Sequence, residues 1–207
     1  MYAIFKRVFD IVVSLAMLLL LWPVFIVVII AIRFGSKGPA IFKQERAGRD
    51  ARPFIFYKFR TMRTDADPFG ASPKSGDDPR ITKVGKFLRE YSLDELPQLF
   101  NILKGNMSIV GPRPLYISQI PEWNDRQKKR LLVKPGLTGL AQISGRGALT
   151  REQKLEFDVE YVERASFWLD IKIIFETAKQ AIFRKDIYEN QYSEAEITRG
   201  ENEAEDK

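Results

Sequence analysis

The hydrophobic positions of this chain are concentrated at its start. Residues 11–32 are 22 consecutive positions without a charge, and as a helix they would reach about 33 Å, close to the roughly 30 Å hydrocarbon thickness of a bilayer. The run is longer than the apolar part of a cleaved signal peptide and no small-x-small cleavage site follows it, so it reads as a resident membrane segment. Pro23 sits near its middle, with Lys6 and Arg7 before the run and Arg33, Lys37 and Lys43 after it. Basic flanks favour the cytoplasmic side for both ends, and an interior proline removes a hydrogen bond and crowds the preceding turn. The expectation is a re-entrant helix-break-helix over residues 1–34, broken at Trp22 and Pro23. A kinked helix that crosses the bilayer is the alternative, because membrane helices tolerate proline.

The pattern then changes to short elements. Residues 35–39 read as a turn, and 40–42 and 54–62 as strands rich in aromatic and β-branched residues. Alternation puts Phe54, Phe56, Lys58 and Arg60 on one face. Residues 65–80, rich in Asp, Pro, Gly and Ser, predict a surface loop. Val84, Phe87, Leu88 and Tyr91 have helical spacing, and a second helix over 95–103 should stop at Gly105. A strand over 107–110, the stiff turn Gly111-Pro112-Arg113-Pro114 and a glycine-punctuated loop over 134–147 follow. Helices are expected over 152–164 and 167–183. The second carries Phe167, Trp168, Ile171, Ile174 and Phe175 with Lys172 and Lys179, which suits either a membrane interface or a protein core. The predicted fold is α+β and mostly helical: the anchor, a small cytoplasmic catalytic domain over 35–187 with amphipathic interfacial helices and short strands, and an acidic, unstructured tail over 188–207.

Charge sharpens this picture. The net charge is +6, but residues 189–207 hold seven acids against two bases, so the remainder carries +11. Such a surface attracts phosphate in nucleic acid, lipid head groups or a phosphorylated substrate. The chain has no Cys and no His, which excludes disulfides, thiolate or imidazole nucleophiles, Ser-His-Asp triads and the usual zinc sets. Catalysis would have to use carboxylates, hydroxyls, Lys, Arg and a hard metal ion.

Ser92-Leu93-Asp94-Glu95 has a bland reading as a Ser-x-x-Glu capping box with acids at a helix N-terminus. Pro97 fits this if it falls in the first turn, with Asp94 as N-cap. Either register puts both carboxylates where free N–H groups also welcome phosphate. Lys58, Arg60, Arg89, Arg113 and Arg146 lie near turns or strand ends that could converge on that pair. Each alone reads more simply as a solvated charge. Arg113 is the most informative, since Pro112 and Pro114 limit its backbone and let its guanidinium be aimed at phosphate oxygens.

In order and spacing, Lys58-Phe59-Arg60-Thr61-Met62, Ser92-Leu93-Asp94-Glu95-Leu96-Pro97-Gln98-Leu99, Gly111-Pro112-Arg113-Pro114 and Lys134-Pro135-Gly136-Leu137-Thr138-Gly139 resemble the bacterial sugar transferase family of monotopic polyprenyl-phosphate phosphoglycosyl transferases. The resemblance runs from about residue 6 to 183 and is to small catalytic-core members, among them the enzyme that initiates bacillosamine-containing N-glycans. It implies a ping-pong reaction in which Asp94 attacks the β-phosphorus of a UDP-sugar, releases UMP, and passes the phospho-sugar to undecaprenyl phosphate. It implies Mg²⁺ held by Asp94 or Glu95, with Glu95 serving the metal or a proton transfer. Substrate contacts would come from Lys58, Arg60, Arg89, Pro112, Arg113, Pro114 and Arg146. Membrane phospholipids and a second copy of the chain, as a homo-oligomer, are the further expected partners; nucleic acid is not. The implied location is the cytoplasmic face of a bacterial inner membrane. Two positions depart from the pattern: relatives often break the re-entrant helix at Ser-Pro where this chain has Trp22-Pro23, and many have Asp where this chain has Asn106. A membrane-tethered basic binding protein and a metal-dependent nucleotide-sugar hydrolase are the competing functions.

Overall fold

The computed structural model describes residues 2–70 and 72–183; the expected acidic tail, and residues 184–187 before it, lie outside the described residues. One 34-residue helix, α1 (Tyr2–Gly35), takes Trp22 and Pro23 into its length. At Pro23 the expected interruption is not an end of helical structure, consistent with one missing bond being spanned by its neighbours. Both halves of α1 touch the rest of the chain. In the first half, Arg7 donates to the carbonyls of Ile102 and Leu103 at 2.6 and 2.9 Å. Asp10, 2% exposed, accepts from the Ile109 N–H and the Ser108 hydroxyl at 2.9 and 3.1 Å. In the second half, Val28 and Ile32 pack with Ala40, Phe59 and Leu88. The other faces leave Leu19, Leu20, Trp22, Val27 and Phe34 exposed.

An antiparallel hairpin follows, β1 (Ile41–Ala47) with β2 (Pro53–Phe59), in the register Ile41↔Phe59 to Ala47↔Pro53. The first strand is longer than expected. Its polar stretch Gln44-Glu45-Arg46 concealed it, because one face of this ribbon borders a cleft as well as apolar core. The outer edge of β2 is closed by buried Asn101, which accepts from Tyr57 N–H at 3.0 Å and donates to the Ile55 carbonyl at 2.6 Å.

Helix α2 (Lys83–Glu90) is capped by Thr82, whose hydroxyl accepts from Gly85 N–H at 2.9 Å. A 3₁₀ turn, Leu93–Glu95, precedes α3 (Gln98–Lys104), which ends at left-handed Gly105 as expected. The expected single helix over 95–103 is thus divided. Pro97 is the N-cap of α3, and Ser92, with φ 55°, caps nothing with its side chain; the capping-box reading fails because Ser92 stands in a left-handed turn.

The two glycine-proline motifs meet across the chain. Strand β3 (Ser108–Val110) pairs in parallel with β4 (Gly136–Thr138). Gly111 N–H donates to the Thr138 carbonyl and Gly136 N–H to the Pro112 carbonyl, each at 2.9 Å. A Cβ on Gly136 would lie 2.1 Å from Gly111 N, so the absence of a side chain is what permits this crossing. The expected loop over 134–147 therefore contains β4 and a short helix, α5 (Leu140–Ser144). The one-turn α4 (Asp125–Lys128) and a 3₁₀ turn, Lys129–Leu132, lead into this region.

Helices α6 (Arg151–Arg164) and α7 (Phe167–Phe183) close the fold. Thr150 and Gln153 form the box that starts α6. Helix α7 packs on the core through Ile173, which is fully buried, and leaves Trp168 and Phe175 exposed. Asp170 ties α7 to α6 and to the start of α1, accepting from Tyr2 at 2.7 Å, Lys6 at 2.5 Å and Tyr161 at 2.8 Å. The main core gathers Phe54, Phe56, Leu99, Ile102, Met107, Val110, Tyr161 and Ile173.

Candidate active site

Asp94 and Glu95 occupy the turn between α2 and α3, and they meet different cations. Asp94 is 5% exposed and its Oδ2 lies 3.0 Å from Lys58 Nζ near the end of β2. Glu95 pairs through Oε1 with Arg113 Nη2 at 2.9 Å. The left-handed Ser92 turns the chain sharply after α2, which brings the two carboxylates back toward β2 instead of onto the surface. Few non-glycine residues adopt this conformation outside turns and functional sites.

The carboxylates border a cleft of about 840 Å³, a volume that suits a small-molecule site. Of the residues singled out from the sequence, Lys58, Arg60, Arg89, Asp94, Glu95, Arg113 and Pro114 line it. Their roles differ. Arg89 Nε donates to the Thr61 hydroxyl at 2.9 Å, fixing the end of α2 against the exit of β2. Arg60 is buried, and its guanidinium donates to the Lys37 carbonyl at 2.8 Å and to the carbonyl and hydroxyl of Ser36 at 2.9 and 2.8 Å. It joins the exit of α1 to β2, so its donors are largely spent on backbone. Pro112 is buried and contributes its carbonyl to the β3–β4 crossing. Arg146 begins the 3₁₀ turn Arg146–Ala148, whose Gly147 borders the cleft; the Arg146 side chain lies outside the described residues.

Two walls were not legible beforehand. On the hairpin side, Arg46 stacks 3.6 Å above the Tyr116 ring and bonds Gln44 at 2.7 Å. Burial pushes its guanidinium down to about 10. Tyr116 and Gln44 both donate to the Pro68 carbonyl, at 3.1 and 3.0 Å, and so hold the 65–80 loop at the mouth. The cleft is also lined by Arg130, Gln142, Arg151, Lys154 and Asp158, from the segments around α4, α5 and α6. Burial pushes the Asp158 carboxyl up, against the pull of Arg130. Period-two alternation from Phe56 through the hairpin would have pointed to Gln44 and Arg46; no local signal marks Arg130 with Asp158, which are 28 positions apart.

Among the described residues no group of three or more acidic, Cys or His side chains gathers to hold a metal. A neighbouring pair of carboxylates is nevertheless a donor set that suits Mg²⁺, which favours hard oxygens and fills most of its shell with water and phosphate.

The family described as bacterial sugar transferase matches residues 1–184. The chain is 42% identical to an uncharacterized sugar transferase, EpsL, of Bacillus subtilis, over 93% of this chain and 95% of that protein. It is 44% identical to a UDP-glucose:undecaprenyl-phosphate glucose-1-phosphate transferase of Klebsiella pneumoniae, over 89% of this chain and 42% of that protein. It is 41% identical to an undecaprenyl-phosphate galactose phosphotransferase of Salmonella typhimurium, over 88% of this chain and 41% of that protein. The chain thus spans roughly two-fifths of the length of these last two relatives, and nearly the whole of EpsL.

Proposed function

The chain belongs to the bacterial sugar transferase family, and from that premise we propose that it transfers a phospho-sugar from a UDP-sugar to undecaprenyl phosphate, an early membrane step in glycoconjugate assembly. The observation that carries this reading is the buried Asp94, paired with Lys58 beside Glu95 and Arg113 on the border of a basic cleft. In a chain without Cys or His, a held carboxylate is the natural nucleophile. The donor and acceptor classes are those in the names of the relatives.

Asp94 would attack the β-phosphorus of the donor. A bond forms between its carboxylate oxygen and phosphorus; the bond from that phosphorus to the bridging oxygen breaks, and UMP leaves with the electron pair. A phosphate oxygen of the lipid then attacks the same phosphorus and releases Asp94, leaving a polyprenyl diphosphate sugar. Lys58 would hold Asp94 in line, and Arg113, with Arg146 by motif position, would meet the charge on the diphosphate. Asp94 and Glu95 would hold Mg²⁺ together with water and substrate phosphate; when bound, the ion offsets diphosphate charge.

The same reading puts the cleft at the cytoplasmic surface of the inner membrane. Supporting it, the outer face of α1 is apolar, Phe5 meets Phe167 edge-on at 5.3 Å, and Phe100 and Trp168 add exposed aromatic surface. Both halves of α1 rest on the same catalytic body, the first through the Arg7 hydrogen bonds and the second through Val28 and Ile32, which favours a helix that enters and leaves the same leaflet over one that crosses.

The decisive test is UMP release from a panel of UDP-sugars with Mg²⁺, with and without undecaprenyl phosphate. Lipid-dependent turnover that is lost in Asp94→Asn, and a phospho-sugar adduct found on wild type in the absence of lipid, are expected. Turnover with water in place of lipid would point to a hydrolase, and lipid binding without turnover to a tethered binding protein.

A further inference from the structure

The turn that carries Arg113 is held by a buried ion pair that itself borders the cleft. Arg130 and Asp158 each have 3% side-chain exposure. Nη2 and Nε of Arg130 reach the same Asp158 oxygen, Oδ2, at 2.6 and 3.1 Å. That Nη2 also donates to the backbone carbonyl of Arg113 at 2.6 Å, and the Trp123 ring lies 4.8 Å from the guanidinium carbon. The side chain of Arg113 pairs with Glu95 next to Asp94.

A pair buried this deeply is a poor device for stability alone, because desolvating two charges offsets their attraction, and apolar side chains of similar volume often serve as well. Asp158 even leaves Oδ1 without a hydrogen-bond partner among the described residues. What an apolar pair could not do is donate to the Arg113 carbonyl. That carbonyl belongs to the Arg113–Pro114 peptide, whose plane sets ψ of Arg113. Pro114 already biases Arg113 toward extended backbone, and the preceding carbonyl, of Pro112, is held by Gly136 N–H. The bond from Arg130 removes the remaining freedom, so that only the rotamers of Arg113 are left to choose. An arginine aimed in advance loses less entropy on meeting phosphate.

We infer that Arg130 and Asp158 are positioning residues for the transfer reaction: Asp158 holds Arg130, Arg130 holds the Arg113 peptide, and Arg113 is thereby directed at Glu95 and the donor diphosphate. This rests on the proposed transferase activity, for which wild-type UMP release and its loss in Asp94→Asn are the controls. If wild type releases no UMP, that reading fails first.

With active wild type, the test is the double variant Arg130→Met with Asp158→Leu. It should melt at or above the wild-type temperature while UMP release falls by about tenfold to a hundredfold, as expected when a reacting geometry is loosened. Combined with Arg113→Ala, it should add no further loss beyond that of Arg113→Ala, since all three act through one group. Arg130→Lys, which keeps a donor, should recover part of the rate. Full activity in the double variant, or a loss that multiplies with that of Arg113→Ala, would overturn the inference. Should the double variant fail to fold, Asp158→Asn carries the test: its loss must vanish in the Arg113→Ala background, and persistence of that loss would equally overturn it.

Discussion

Arg60 and Arg113 look alike in sequence, each a basic residue in a short motif, but they spend their donors differently. Arg113 is half exposed and faces Glu95, whereas Arg60 is buried and bonds the two residues after α1. Replacing Arg60 with Ala should therefore act on stability. Losing charged hydrogen bonds to the part-buried carbonyls of Ser36 and Lys37 should lower stability by about 2 kcal/mol, read as a fall in melting temperature, with UMP release per folded molecule changed far less than in Arg113→Ala. A large loss of turnover with unchanged melting would return Arg60 to the substrate. The residue scale also explains Asp10. It stands one position before the uncharged run, where it reads as an edge of the membrane segment, yet it closes two donors of β3, a role that becomes visible only when residues 98 and 99 positions away come into contact.

Among the elements, the parallel pair β3–β4 is the most constrained. A methyl group on Gly136 would meet backbone at 2.1 Å from Gly111 N and 2.3 Å from Thr138 O, and backbone cannot rotate away as a side chain can. Gly136→Ala should cost about 3 kcal/mol or more, seen as a loss of folded protein after extraction; a stable, active variant would refute this tight crossing. The 65–80 loop is held more lightly. A hydrogen bond from Arg80 keeps the Asp78 carboxyl at about 2, below its ordinary 3.8. Because the folded value is depressed, the pair stabilises fully above the unfolded value and its contribution is lost as pH falls through 3.8 toward 2. The destabilisation caused by Asp78→Asn should accordingly be constant from about pH 7 to 5, shrink as pH falls toward 2 and vanish only below the folded value, at about pH 1, as followed by unfolding in denaturant. A penalty that stays undiminished from about pH 5 down to 2 would assign Asp78 a role apart from its charge.

For the whole molecule, the arrangement of α1 decides what the membrane sees. Labels at residues 2 and 40 should react from the same side of sealed vesicles; opposite sides would require a crossing helix and would be hard to reconcile with Arg7, Asp10 and Ile32 all resting on one body. The amino-acid sequence alone carries the long apolar helix, the phase of β2, the helices α6 and α7 and the basic balance, because each depends on local periodicity or composition. It also marked Lys58, Asp94, Glu95 and Arg113, since motifs are read in order along the chain. Tertiary packing alone shows that Arg60 bonds the backbone after α1, that β1 extends through polar residues along the cleft, and that β4 exists at all. It alone brought Arg130 and Asp158 to the Arg113 turn. These depend on hydrogen bonds between distant backbone and side-chain groups, which leave no period in the sequence for a local reading to detect.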